Sequence, residues 1–294
     1  MANSRNKHDE RIVTLRNLSA YMRGGSRVPE WPFEYLLYER IPTLAFRTYL
    51  GRNDSTQWGW WPVVYDEAPS IHIRQALEIS WVSLREYDLA RPISTRVLLR
   101  RLMPKVPNIV REFQRTIRSL TPKGEIKIST FSTTKEAWST LVVAMAKAVA
   151  KITDIKGKGA DKPMVGSKVM SFLFPELFPV WDTFWVQNRA LKAIDTPSLP
   201  RKVDEQLDTL PCSPKAKRAA QLYAQYVWLM LEDRRALRQG DLKKVYSSCF
   251  HRIERKGYEE PQYQLSFYYA DYFPLFFEVC LIGRWARTRK GAQR

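Results

Sequence analysis

The segment that most constrains the fold runs from Thr133 to about Ile152. Thr133-x-x-Glu136 has the form of a capping box, in which a hydroxyl and a carboxylate satisfy the first free amides of a helix. The residues that follow include Trp138, Leu141, Val142, Met145, Val149 and Ile152, which places apolar side chains around much of the helix circumference. A helix greasy on so many sides must be covered on all of them. The spacing therefore predicts a central helix inside a shell of others, and an all-α fold.

Helical periodicity recurs on either side of it. Apolar residues three and four apart predict helices from about His8 to Arg23, Ser70 to Tyr87, Ser94 to Met103 and Pro107 to Leu120. Beyond a Pro197-Ser-Leu-Pro200 break that separates off the C-terminal portion, helices are expected from Pro214 to about Gln239, Asp241 to about Lys256, and Gln262 to Arg287. Glu125–Phe131 alternates as a short strand would, though an extended connection reads equally well.

The charge balance narrows the partners. Forty-eight Lys and Arg against thirty Asp and Glu leave a net +18, a field that attracts polyanions, nucleic acid first and anionic membrane second. The cations are spread along the chain, so the basic surface is expected to be folded. Arg111, Arg115 and Arg118 share one helical face without interleaved acids. That stripe is either a solvated face or a contact for a phosphate backbone. The Lys156-Gly-Lys-Gly-Ala-Asp-Lys162 loop offers Lys156, Lys158 and Lys162 in the same role, or is a plain linker; it lacks the ending of a nucleotide P-loop.

Several chemistries drop out. His8, His72 and His251 fall in unrelated segments, and Cys212, Cys249 and Cys280 form no metal pattern, so no metal or other cofactor is expected. Unpaired thiols point to a reducing, cytoplasmic setting. No apolar run approaches the ~20 residues that span a bilayer, and the N-terminus lacks the apolar stretch of a signal peptide. No feature asks for a protein partner.

One segment combines charge with an apolar turn. Val165-Gly-Ser-Lys-Val-Met-Ser-Phe-Leu-Phe174 reads as a short helix ended by Pro175 and Pro179, and Asp182 stands where the next helix needs an N-cap. A capping aspartate stays ionised, and in a cleft it can stabilise an oxocarbenium-like sugar or orient water. Lys168 is either an amine nucleophile or a phosphate anchor.

Gly166-Ser-Lys168 and Pro179-Val-Trp-Asp-Thr-Phe-Trp-Val186 resemble the catalytic end of helix-hairpin-helix DNA glycosylases. In that superfamily a Gly-x-x-Lys-Ala-like helix start is followed by a buried turn and a Val-Asp-x-x-Val-like segment. The resemblance covers roughly a tenth of the chain. It implies a single unit over residues 1–294 with two helical lobes flanking a basic cleft. The catalytic hairpin region would be 130–195, and 1–120 and 200–294 the remaining helical body. It further implies that the protein flips a modified base out of double-stranded DNA and cleaves the N-glycosidic bond. Asp182 takes the catalytic role, and Lys168 the place of the lysine used by lyase-competent members. No four-cysteine signature follows the aspartate, so no iron–sulfur cluster is implied.

Trp181, Trp185 and the Trp58-Gly-Trp-Trp61 segment (Trp58, Trp60, Trp61) are the candidates for a base pocket, the latter three reading first as packing plugs and second as an aromatic wall. Divergence from repair enzymes leaves room for hypermodified phage bases as substrates, in antiviral defence. The rival readings are a non-catalytic nucleic-acid-binding protein and a basic structural or interaction module.

Overall fold

The computed structural model describes residues 95–120, 135–157, 162–174, 177–181, 186–187 and 198–236. Numbered in chain order, its helices are α1 (Thr95–Leu102), α2 (Val106–Leu120), α3 (Lys135–Lys156), α4 (Met164–Leu173), α5 (Arg201–Asp208) and α6 (Pro214–Ala236). Among the described residues there is no strand, and no helix is long and apolar enough to cross a membrane. The helices expected at 8–23, 70–87, 241–256 and 262–287, the Glu125–Phe131 segment and the start of the Thr133 capping box lie outside the described residues.

The central helix is α3. Leu141, Val142, Met145, Val149 and Ile152 are fully buried, and so are Ala146 and Ala150 on other faces of the same helix. All five other described helices pack against it, α6 most extensively. Alanines make this possible. Ala144, Ala146, Ala148 and Ala150 of α3 and Ala216, Ala219, Ala220 and Ala224 of α6 are all buried, and small side chains let helix axes come close. At one end of that contact the rings of Trp138 and Trp228 meet edge to face, 6.2 Å apart.

Helix α2 is amphipathic as expected. Val106, Ile109, Val110, Phe113 and Ile117 are buried on one face, and the arginine stripe lies opposite. Its single acid, Glu112, is paired with Lys147 and Lys151 of α3, the first at 2.7 Å. Burial by itself would raise the Glu112 pKa. The hydrogen bonds and charges of the two lysines outweigh it and hold the carboxyl below its ordinary value of 4.5.

The proline break does not divide the core. Pro200 has an extended backbone (φ −57°, ψ 138°) and is followed at once by α5, an eight-residue helix not anticipated from the sequence. Val203 and Leu207, four apart, are its buried stripe, and Leu199 and Leu210 bury on either side. Both α5 and α6 then pack on α3, so the segment after the break shares one core with the segment before it.

Helix α6 begins where its proline predicts. Pro214 needs no amide partner in the first turn, and the Ser213 hydroxyl caps the helix by accepting from the Ala216 N–H at 3.3 Å. That same hydroxyl donates to the Asp154 carboxylate in the last turns of α3. The start of α6 is thereby tied to the end of the central helix.

Candidate functional site

Gly166 decides how α4 sits. A Cβ at this position would stand 2.2 Å from the Val149 carbonyl oxygen of α3 and 2.7 Å from the Thr153 hydroxyl oxygen. No side chain fits there, so α4 lies with its backbone directly against α3. The contact buries the motif around it: Val165, Ser167, Lys168 and Val169 are all buried.

Ser167 then reaches forward to the turn. Its hydroxyl donates to the Met164 carbonyl at 3.1 Å and accepts from the Trp181 backbone N–H at 2.9 Å. Tyr223 of α6 holds the other end, its hydroxyl donating to the Pro179 carbonyl at 2.8 Å. Both bonds are buried, and Tyr223 itself is fully so. A turn without secondary structure leaves its backbone groups without regular partners. Here a serine and a tyrosine supply them from two helices. The residue following this anchored turn is Asp182.

The apolar part of the turn is a plug. Helix α4 ends at Leu173, and the Phe174 N–H closes on the Met170 carbonyl at 2.7 Å. Phe174 and Phe178 pack edge-on to Phe113 of α2, at 5.1 and 4.9 Å, and Phe178 stacks on Tyr223 at 6.4 Å. The turn is thus gripped between α2 and α6 by aromatic contacts as well as by hydrogen bonds.

Of the two charged residues singled out in the sequence, Lys168 is buried to 6 % exposure and engaged with its surroundings. A buried ammonium requires such compensation. Asp182, Trp185, Trp58, Trp60, Trp61 and Lys158 lie outside the described residues.

Two expectations change. Trp181 is fully buried, its ring edge to face with Tyr226 at 5.5 Å and 86°. It anchors the turn to α6, which takes it out of the set expected to contact a base. Lys156 is 6 % exposed, so it is no surface ligand for phosphate. It continues the buried stripe of Met145, Val149 and Ile152 at helical spacing, which turns it inward.

The other expected cations face outward to different degrees. Lys162, Arg115 and Arg118 are exposed and Arg111 is half-buried, with Arg111 and Arg118 engaged in interactions of their own. The structure adds Arg101 of α1, whose guanidinium donates to the Lys156 carbonyl at 3.2 Å. It caps the negative end of α3, where Gly157 turns the chain with φ +77°.

Ser167 and Tyr223 had no assigned role in the sequence reading. Ser167 stands between the two motif residues that the resemblance does use, which was its one available signal. Tyr223 gave none, being one aromatic among several on α6. No protein-family model matches this chain, and no curated protein or solved structure is significantly similar to it.

Proposed function

We propose that this protein is a DNA glycosylase that extrudes a modified base and cleaves its N-glycosidic bond, leaving an abasic site. The observation that carries the reading is the double anchoring of the turn at Pro179 and Trp181. It fixes the backbone entering Asp182 from two helices, beside a helix that buries Lys168. A carboxylate that stabilises an oxocarbenium-like sugar gains from being held in place before charge develops. Asp182 would supply that charge and direct water to the sugar carbon. Lys168 would bind the DNA or attack the sugar as an amine. An unusual base, such as a hypermodified phage cytosine, is the substrate class the reading favours, with antiviral defence as its setting.

Incubation with duplexes carrying damaged or phage-type bases, followed by detection of abasic sites, tests the reading. Asp182→Asn is expected to abolish abasic-site formation and to leave DNA binding intact. An Asp182→Asn protein with undiminished excision would rule the assignment out. Borohydride trapping addresses Lys168 separately, since a covalent complex forms only if its amine becomes bonded to the sugar.

A second reading, nucleic-acid binding without catalysis, is favoured by the cation density of α1 and α2. Residues 95–120 hold seven Lys and Arg and one acid, Glu112. That acid is already paired with α3. This reading predicts salt-dependent binding with no abasic sites on any duplex.

A further inference from the structure

Helix α1 is not among the elements that the sequence assigned to a partner, yet the structure gives it a distinctive outer face. Leu98 and Leu102 bury its inner side, while Arg96, Arg100 and Arg101 are exposed, as is Lys105 in the turn that follows. Arg96 and Arg100 are four residues apart, one helical turn, and so lie on one line along the helix. No ion pair compensates Arg96, Arg100 or Lys105 among the described residues. The acids nearby are committed elsewhere: Glu112 to Lys147 and Lys151, and Asp154 to the Ser213 hydroxyl.

Arg101 joins this face to the loop after α3. Its guanidinium donates to the Lys156 carbonyl and lies 3.8 Å from where a Cβ of Gly157 would be. The α1 surface and Gly157, at the end of α3, are therefore neighbours. Like charges within a few ångströms of one another repel at separations shorter than the ~8 Å screening length of physiological salt. A row of phosphates relieves that repulsion and releases condensed counterions on binding. Arginines in a row along an exposed helix suit this partner better than a small anion, which would meet only one or two of them.

We propose that the outer face of α1, through Arg96, Arg100, Arg101 and Lys105, is a docking surface for the sugar-phosphate backbone of duplex DNA. The proposal deepens the nucleic-acid reading above and concerns binding alone, so it stands or falls independently of base excision.

The test is fluorescence anisotropy of the full chain with a labelled duplex of ordinary sequence, from 50 to 200 mM KCl. An Arg96→Gln/Arg100→Gln protein is expected to bind more weakly, with a slope of log Kd against log salt reduced by about two phosphate contacts. Its Kd should rise about twelvefold less than that of the parent over this range, given ~0.9 counterions per contact. Arg100→Gln alone should lose about half of that slope change. Lys202→Gln/Lys215→Gln removes the same charge from exposed positions on α5 and α6 and should leave the slope unchanged.

An unaltered slope in the α1 variants, or an equal loss in the α5/α6 control, overturns the proposal, the latter meaning that net charge alone governs binding. Binding of duplex RNA or poly-glutamate that depends on α1 while duplex DNA binding does not also overturns it. Abasic-site assays on the same proteins report separately on excision, so a failure of catalysis is not mistaken for a failure of docking.

Discussion

The contact between α3 and α4 and the outer face of α1 and α2 are built on opposite physics. At Gly166 two backbones touch, and the adjoining turn is held by buried hydrogen bonds and aromatic packing. Along the outer faces of α1 and α2, Arg96, Arg100, Arg115 and Arg118 are exposed to solvent. The first region is sensitive to ångströms and indifferent to salt. The second tolerates substitution and responds to ionic strength. Under the proposed glycosylase reading, holding a reacting group still and gripping a long charged partner would fall to different surfaces.

The difference is broken most directly at Gly166. Gly166→Ala places a Cβ against the Val149 carbonyl and cannot be relieved by a rotamer change. It should destabilise the fold by about 3 kcal/mol, the upper end of overpacking costs, measured by urea denaturation. Gly166→Ala with parental stability would mean that α3 and α4 separate readily, and the contrast between regions would collapse.

Smaller effects are expected where the turn is pinned. Ser167→Ala leaves the Trp181 amide without its acceptor, and Tyr223→Phe leaves the Pro179 carbonyl without its donor. Each should cost about 1–2 kcal/mol, because an unsatisfied buried group forfeits its solvation. If the glycosylase reading holds, both should lower kcat for excision more than they raise KM, and Ser167→Thr should restore part of the loss. A double-mutant cycle would show whether the two anchors act on one rigid turn.

The smallest expected effect joins the two regions. Glu112 sits on the cationic helix but serves the core, through its lysine pairs with α3. Its folded pKa is depressed, so its contribution is complete above 4.5 and is lost as the pH falls through the lower folded value. The carboxylate is 42 % exposed, and solvent screening should keep the effect below about 1 kcal/mol. Thermal melts from pH 6 to 3 should show a steeper acid loss for the parent than for Glu112→Gln. Identical profiles would show that the pairs add nothing.

Much of the described helical frame was legible in the sequence, for reasons that can be named. The extents of α1 and α2 follow from apolar spacing and the start of α6 from Pro214, and the central place of α3 follows from its greasy circumference. Helix α5 escaped because eight residues carry only two apolar positions, Val203 and Leu207, between two proline-rich breaks. Trp181 and Lys156 were misjudged in a related way. Residue type suggested stacking and phosphate binding, whereas position decided the matter. Lys156 falls in register with the buried stripe of α3, and Trp181 belongs to the turn clamped by α6. The Gly166-Ser-Lys168 motif was visible as a pattern, but its division of labour was not. A glycine that admits a carbonyl and a serine that holds a distant amide are properties of a contact between helices, which a linear reading does not contain.

The contact at Gly166 also limits how the molecule can move. Helices separated by interlocking side chains can slide past one another as rotamers change. Here the Val149 carbonyl occupies the room of a missing Cβ, and a shift of one residue would drive Val165 or Ser167 into it. The pair has no intermediate resting place, so α3 and α4 travel as one rigid piece. Any hinge in the molecule must lie elsewhere than between these two helices.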